Sequence, residues 1–137
     1  MQAARIVGRG AVTAMYAGLI FALSSSSQPL GLDPPDIPGL DKLVHGLEFG
    51  VLALLLRWSL AGVPVGWTGR TRDLLAVVLA ALYGVSDELH QRLVPGRDAS
   101  PWDSLADAIG AIVLIAVVAS QRPWQDTAPP GGDRHAA

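Results

Sequence analysis

The chain has 137 residues and a net charge of -2; half of its residues are hydrophobic and only 16% are charged, against about 25% in ordinary soluble domains. The length allows one domain, the lack of cysteine excludes disulfides and thiol chemistry, and the absence of a basic patch argues against a nucleic-acid partner. The apolar residues form near-continuous runs, which predicts membrane helices. The alternative, a small soluble helical protein, requires one-sided apolar stripes.

Four apolar segments predict an all-α fold, a bundle of four transmembrane helices in a single domain over residues 1–122. The expected helices cover residues of about 6–23, 42–60, 73–91 and 103–120. Arg5 and Arg9 resemble the charged front of a signal peptide, so cleavage after the serines at 24–27 is an alternative. No small-x-small cleavage site stands out, and we expect a retained helix. The proline, glycine and charge of residues 123–137 predict a disordered cytoplasmic tail.

The expected helices are separated by loops and end in polar residues. Prolines and glycines in 24–39 and 61–72 predict the first two loops, and Ser100 with Pro101 suits the start of the fourth helix. None of the segments has the roughly 20 uninterrupted apolar residues that a ~30 Å hydrocarbon core requires, so each crosses only by including its polar end. Ionisable groups at that depth normally turn toward the bundle interior or a wet cavity.

Basic residues predict the orientation, because short cytoplasmic loops carry an excess of lysine and arginine. If the chain enters from the cytoplasm, seven basic residues lie inside and three outside. The seven are Arg5, Arg9, Arg57, Arg70, Arg72, Arg122 and Arg134, and the three are Lys42, Arg92 and Arg97. Both termini are then cytoplasmic. Helix parity places the two polar clusters, residues 41–48 and 87–107, together on the extracytoplasmic face.

Helical geometry predicts which polar residues share a face, since each residue turns the helix by about 100°. On the second helix, the residues that lie within about 60° of one another are Asp41, His45 and Glu48. On the fourth helix, Asp103 and Asp107 align with Gly110, and the glycine permits a close neighbour. The second and fourth helices are therefore expected to turn polar faces toward each other.

The third helix divides its polar residues between two faces. One face carries Glu88 and Gln91 beside Gly84, and the other carries Asp87 and His90 beside Tyr83. One helix turn therefore cannot aim all four polar residues at the same point. Arg97 lies in a Pro-Gly-Arg turn and is free to fold back over the helix ends. We expect it to face the acids Glu48, Glu88 and Asp103.

Each of these residues also has a simpler structural explanation. The alternatives are helix N-caps for Asp41 and Asp103, a membrane-interface anchor for Lys42, links between helices for His45, Glu48 and Asp107, and a counter-ion for Arg97. At least six ionisable groups from three helices on one membrane face nevertheless exceed what packing requires. We therefore favour a functional site.

The residue types restrict the chemistry of such a site. The H-E-x-x-H pattern of zinc proteases and the G-x-S-x-G nucleophile elbow are both missing. Carboxylates with histidine suit general acid–base work or divalent-ion binding, while Arg97 and Lys42 suit a phosphate or a carboxylate. This mixture predicts an anionic substrate at the outer interface. No cofactor is identified, and the donor set is compatible with a divalent cation.

The polar motifs, taken together, resemble those of the VanZ-like family of bacterial integral membrane proteins. They read Asp41-Lys42-x-x-His45-x-x-Glu48-Phe49, Tyr83-Gly84-x-x-Asp87-Glu88-x-His90-Gln91, Pro95-Gly96-Arg97, Ser100, Asp103 and Ala106-x-x-x-Gly110. The resemblance covers the second to fourth helices, and the first helix has no comparable signature. Asp107 departs from the pattern, since the family usually has asparagine there. The aspartate adds charge to the site and, as a carboxylate, cannot fill a role that needs an amide donor.

The resemblance implies a multi-pass protein of the bacterial inner membrane that is connected with the cell envelope. The family's link to resistance against the glycopeptide teicoplanin transfers only weakly, because many members occur without such resistance. The leading hypothesis is an enzyme acting on an anionic, lipid-linked substrate such as a cell-wall precursor. Its candidate catalytic residues are His45, Glu48, Glu88, Gln91, Arg97 and Asp103, supported by Asp41, Lys42, Asp87, His90 and Asp107. The alternative is a non-catalytic protein that binds or transports an envelope lipid or glycopeptide.

Within the leading hypothesis, the residues take separate roles. His45 or Glu88 serves as acid or base, and Arg97 holds a phosphate or carboxylate. Asp103 orients Arg97 or a metal ion. The site then faces the extracytoplasmic side, where membrane lipid and lipid-linked precursors are the expected partners.

Overall fold

Four long α-helices make up most of the protein that the computed structural model describes, which is residues 2–27 and 37–121. The helices are α1 (Gln2–Ser24), α2 (Leu40–Leu60), α3 (Gly69–Gln91) and α4 (Pro101–Ser120). No strand occurs within the described ranges, so the all-α fold class is confirmed. The expected tail, residues 123–137, lies outside the described residues.

Side-chain caps explain where α3 and α4 begin. Thr68 precedes α3 and its side chain accepts a hydrogen bond from the Thr71 backbone N–H at 3.1 Å, so residues 69–72 form a helical turn instead of the expected loop. Ser100 caps α4 by accepting from the Trp102 N–H, and Pro101 occupies the first turn as expected.

The acids considered as helix caps do not have that role. The residue before α2 is Gly39, which has a left-handed φ of 80°, and no side chain caps this helix. Asp41 lies one residue inside α2, and Asp103 lies inside the first turn of α4 behind Ser100. The capping alternatives for Asp41 and Asp103 are therefore wrong. Both carboxylates are available to contact other side chains.

The closest helix contact joins α2 to α4 through glycine. A Cβ atom built on Gly110 would collide with the backbone of Gly46, and a Cβ on Gly50 would come within 2.7 Å of the Leu114 side chain. Small residues at facing positions let two backbones approach, which is a common way for membrane helices to pack. The expectation that Gly110 admits a close neighbour is confirmed.

Contacts between named residues show that consecutive helices run antiparallel. At one end of the bundle, Arg57 of α2 binds Asp73 of α3 at 2.7 Å, and Arg9 of α1 donates to the Trp58 carbonyl oxygen at 3.2 Å. At the other end, Lys42 of α2 pairs with Asp103 of α4. We call these the arginine end and the acidic end. Residues 41–48 and 87–107 therefore share one end, as helix parity predicts.

The surface of the bundle is unusually apolar. Large exposed hydrophobic side chains occur on every helix, and examples are Met15, Leu47, Leu82 and Ile112. The buried core is small and includes Ile20, Phe49 and Leu52. A helix that is apolar on its outer face as well as its inner face suits a lipid surrounding. By length and composition, α1, α2 and α4 can cross a membrane. The third helix, α3, is long enough but carries too many polar residues to be as apolar as the other three.

Candidate functional site

Five polar residues from three helices meet at the acidic end, and we call them the acid–histidine cluster. They are Lys42 and His45 on α2, Glu88 on α3, and Asp103 and Asp107 on α4. One nitrogen or oxygen atom each of His45, Glu88 and Asp103 lie within 4.8 Å of one another. The ends of α2, α3 and α4 therefore converge at this point.

Asp107 lies at the bottom of the acid–histidine cluster and is fully buried. Its Oδ1 is 3.1 Å from the Nδ1 of His45, and its Oδ2 has no hydrogen-bond partner among the described residues. Gly84 makes room for it, because a Cβ at that position would lie 2.6 Å from Oδ2. The His45 ring also stacks parallel to Phe49, with 6.5 Å between the ring centres. His45 is thus held between a carboxylate and an aromatic ring.

Glu88 connects the end of α3 to the start of α4. Its Oε2 accepts a hydrogen bond from the backbone N–H of Ser100 at 2.8 Å, and Ser100 is the N-cap of α4. The other oxygen, Oε1, is buried and has no partner within the described part of the chain. Buried polar atoms in proteins are nearly always hydrogen-bonded, so an unpaired carboxylate oxygen indicates a water, an ion or a ligand.

Lys42 forms the cationic side of the acid–histidine cluster. Its Nζ binds Asp103 Oδ1 and also lies 2.6 Å from Asp41 Oδ2. The ammonium is therefore paired with Asp103 of the cluster and with Asp41 beside it, which goes beyond the interface anchor considered as an alternative. Because the side chain of Lys42 is 38% exposed and that of Asp103 is 10% exposed, this pair separates the buried acids from the outside.

A second polar contact region lies between α1 and α3, and we call it the α1–α3 seam. Ser24 Oγ donates to Asp87 Oδ2 at 2.8 Å, and Gln91 Nε2 donates to the same oxygen at 2.7 Å. His90 Nε2 shares a hydrogen bond with Ser25 Oγ at 3.1 Å. Asp87 and His90 therefore face α1, while Glu88 faces α4. The predicted division of α3 into two faces is confirmed, although Gln91 bonds across to Asp87.

Arg97 contacts the end of α1 instead of the acids. Its Nε donates to the Ser26 carbonyl oxygen at 2.8 Å, and its second guanidinium nitrogen donates to the Leu23 carbonyl oxygen at 2.9 Å. No ion pair joins it to a carboxylate among the described residues, although it interacts electrostatically with Glu48. Glu48 itself is half-buried on α2, near His45 and Asp87. The turn that carries Arg97 thus ties the loop after α3 to the first helix.

Sequence reasoning missed the contribution of α1. Ser24 and Ser25 bind Asp87 and His90, although the sequence predicts a loop at these serines and the preceding helix has no family signature. Tyr16 also reaches α2, where its hydroxyl donates to the Glu48 carbonyl oxygen at 3.2 Å. The available signal was helix parity, which puts the end of α1 at the same end of the bundle as the acids.

The protein also has an open pocket at the arginine end. Its volume is about 510 Å³, and its lining residues include Arg5, Arg9 and Gly62. None of the candidate site residues lines it. The pocket is therefore separate from the acid–histidine cluster.

The fold and the site together define a helical membrane protein with a polar cluster at one end of its bundle. A family model described as VanZ/LLP1 matches residues 7–121, which includes all four helices apart from the first turns of α1. The chain belongs to this family, and the resemblance of its polar motifs is confirmed. No curated protein and no solved structure gives a significant match.

Proposed function

We propose that this VanZ-family protein is a four-span protein of the bacterial inner membrane that acts on an anionic, lipid-linked envelope substrate. Both termini lie in the cytoplasm, and the acid–histidine cluster faces the extracytoplasmic side. The distribution of basic residues supports this orientation, because the arginine end carries the excess expected of a cytoplasmic face.

The packing of α3 supports a fourth span. Its polar residues turn away from the surrounding lipid: Asp73 pairs with Arg57, and Asp87, Glu88 and Gln91 are buried against neighbouring helices. Its outward-facing residues, such as Leu82, are apolar. A helix that buries its polar side chains against the rest of the bundle can cross a membrane despite a modest average hydropathy.

The single observation that carries the proposed site is the pair of buried, unpaired carboxylate oxygens on Glu88 and Asp107. Leaving a polar atom buried without a partner destabilises a fold by about 1–3 kcal/mol, and the cost is larger when the group is charged. A purely structural cluster would not leave two such atoms unpaired beside a histidine. In a site that receives a ligand, an ion or a proton, these oxygens would gain a partner.

The geometry supports definite roles for an enzyme of this kind. Asp107 orients His45, which leaves the other ring nitrogen to take or give a proton. Glu88 is the second acid–base candidate. Lys42 is the cation nearest to these groups, so a substrate phosphate would compete with Asp103 for its ammonium. Arg97 would contribute only after leaving the carbonyl oxygens at the end of α1.

A second candidate function is binding or transport without chemistry. Buried carboxylates that line contacts between helices mark proton and ion pathways in many membrane proteins. Asp87 and Asp107 fit this description, because each is buried between helices and keeps one oxygen without a partner among the described residues. This candidate needs neither a nucleophile nor a leaving group.

One assay separates the two candidates. The full-length protein, reconstituted in nanodiscs, is incubated with lipid-linked cell-wall precursors, with and without divalent ions. Turnover that is lost in His45→Gln and Glu88→Gln supports the enzyme, and saturable binding without product supports the carrier. Asp98→Asn is the matched control, because Asp98 is exposed in the loop before α4 and contacts none of the cluster residues. If the protein neither turns over nor binds lipid-linked precursors, these precursors are excluded as the substrate.

The family's link to glycopeptide resistance, which transfers only weakly to this chain, is tested separately. If the link applies, expression in a susceptible host raises the teicoplanin concentration that the cells tolerate, and His45→Gln removes the effect. Equal tolerance with and without the protein would separate this chain from that function.

A further inference from the structure

We propose that His45, Glu88 and Asp103 bind a divalent metal ion of the zinc or manganese type at the acidic end of the bundle. This inference rests on the proposed function and names what would receive the anionic group of the substrate. With the ion bound, His45 and Glu88 would be metal ligands instead of the acid and base. It rests on one atom from each residue, all within 4.8 Å of one another.

Each of the three residues has one polar atom engaged by an orienting partner and a second one left for a ligand. Glu88 uses Oε2 for the Ser100 N–H, and Asp103 uses Oδ1 for the Lys42 ammonium. His45 uses Nδ1 for Asp107. The remaining atoms are Glu88 Oε1, Asp103 Oδ2 and His45 Nε2. Side chains that are already oriented lose little freedom when they bind an ion.

The His45–Asp107 hydrogen bond sets the histidine up as a ligand. When Nδ1–H donates to a carboxylate, the neutral ring keeps its lone pair on Nε2. Metal-binding histidines almost always have such a carboxylate or carbonyl partner behind them, which fixes the ring orientation and raises its basicity. Asp107 is fully buried and cannot easily turn to another partner. It is therefore a positioning residue for His45.

Glu88 provides an independent indication of a ligand. Only 5% of the residue is exposed, and its Oε1 has no partner among the described residues although the atom itself is buried. Acidic clusters on protein surfaces often have no ion. A carboxylate oxygen that is both buried and unpaired is different, because something must replace the water it has lost.

The charge of the acid–histidine cluster also favours a divalent cation. Its three carboxylates, on Glu88, Asp103 and Asp107, carry -3, and the Lys42 ammonium contributes +1, which leaves -2 if His45 is neutral. One divalent ion offsets this charge, and Lys42 can keep its contact with Asp103 Oδ1.

The donor set favours some metals over others. A nitrogen and two carboxylate oxygens suit zinc or manganese, whereas calcium prefers six to eight oxygen ligands and magnesium keeps most of its waters. Three protein ligands leave at least one coordination position open. A bound ion would offer that position, as a Lewis acid, to a phosphate or carboxylate oxygen.

The test uses the full-length protein in detergent, with metal alone and no lipid substrate. Zn²⁺ and Mn²⁺ are titrated by calorimetry, and bound metal is measured by mass spectrometry after equilibrium dialysis, with Mg²⁺ and Ca²⁺ in parallel. We expect one Zn²⁺ or Mn²⁺ per chain, with affinity at least about tenfold weaker in Glu88→Gln and Asp103→Asn. Asp98→Asn should bind like the parent.

Folding is monitored so that each result can be interpreted. Glu88→Asp keeps the charge but draws the carboxylate back, so it should fold and still lose metal affinity. If a variant unfolds, the metal-induced rise in the Tm of the parent protein remains as a test. The metal site would be overturned if no saturable binding is found. It would also be overturned if the parent protein and the three site variants, Glu88→Gln, Glu88→Asp and Asp103→Asn, bind metal with equal affinity. The proposed substrate would survive that outcome if the protein still binds or turns over lipid-linked precursor with chelator present.

Discussion

Asp107 Oδ1 on α4 accepts a hydrogen bond from His45 Nδ1 on α2 across 3.1 Å, and the Asp107 side chain is completely buried. This one contact joins the two helices that pack most closely, and it fixes which ring nitrogen of His45 faces the rest of the acid–histidine cluster. Asp107 supports the site from behind the histidine, since it is fully buried while Glu88 and Asp103 keep 5% and 7% of their surface exposed.

Asp107→Asn should keep the fold. The amide oxygen can accept a hydrogen bond from the same His45 N–H. Asp107→Ala removes the acceptor and should lower the free energy of unfolding by about 1–3 kcal/mol. It should also weaken Zn²⁺ binding by about 10–100-fold, more than Asn does. Thermal unfolding and metal titration check both effects. An Asn variant as unstable as the Ala variant would show that the fold needs the charge itself.

Gly110→Ala should separate α2 from α4. The added Cβ meets the Gly46 backbone, which cannot move aside as a flexible side chain can, so the cost is at least about 1–3 kcal/mol. Gly18→Ala is the matched control, because it is the same change inside α1, and a Cβ there meets nothing within 4 Å. We expect the control to equal the parent or to exceed its stability by up to about 1 kcal/mol, because alanine favours a helix interior over glycine. Unfolding in detergent measures both, and equal stabilities would argue against the close glycine contact.

Arg97 should act first as a link to α1. Arg97→Ala removes both hydrogen bonds to the carbonyl oxygens of Leu23 and Ser26, and we expect faster amide exchange at the end of α1 and about 1–3 kcal/mol lower stability. Arg97→Lys keeps the charge but only one of the two hydrogen bonds. The stability of this variant should therefore lie between that of the parent protein and that of Arg97→Ala.

The same lysine variant tests the sequence-based expectation that Arg97 grips an anion. We expect Arg97→Lys to retain most substrate binding, since the guanidinium contacts α1 carbonyl oxygens. Well-folded Lys protein that has lost substrate binding would restore Arg97 to the site.

The orientation predicts a definite pattern of reporter fusions. Fusions after Pro38 and after Arg97 should report the extracytoplasmic side, and a fusion after Gly66 should report the cytoplasm. The reason is the excess of arginine at the arginine end. The reverse pattern would move the acid–histidine cluster to the cytoplasmic face and would exclude substrates on the outer surface.

A considerable part of the fold and of the candidate site could be predicted from the sequence. Apolar runs determine helices, because a chain in lipid must satisfy its own backbone hydrogen bonds. Parity then places the two polar clusters at one end. Glycine spacing indicates that Gly110 faces a close neighbour, and residues 83–91 can be divided into two faces because the helical repeat is regular.

Only the tertiary structure decided which partners these residues take. Arg97 contacts α1 and Lys42 contacts Asp103, although the sequence predicts both cations at the same end of the bundle as the acids. Ser24 and Ser25 join the α1–α3 seam although nothing in their local sequence marks them. The reason is physical: periodicity within a helix gives the direction of a side chain about its own axis. The distance between two side chains on different helices depends on how closely the backbones approach, and contacts such as Gly46 with Gly110 set that approach.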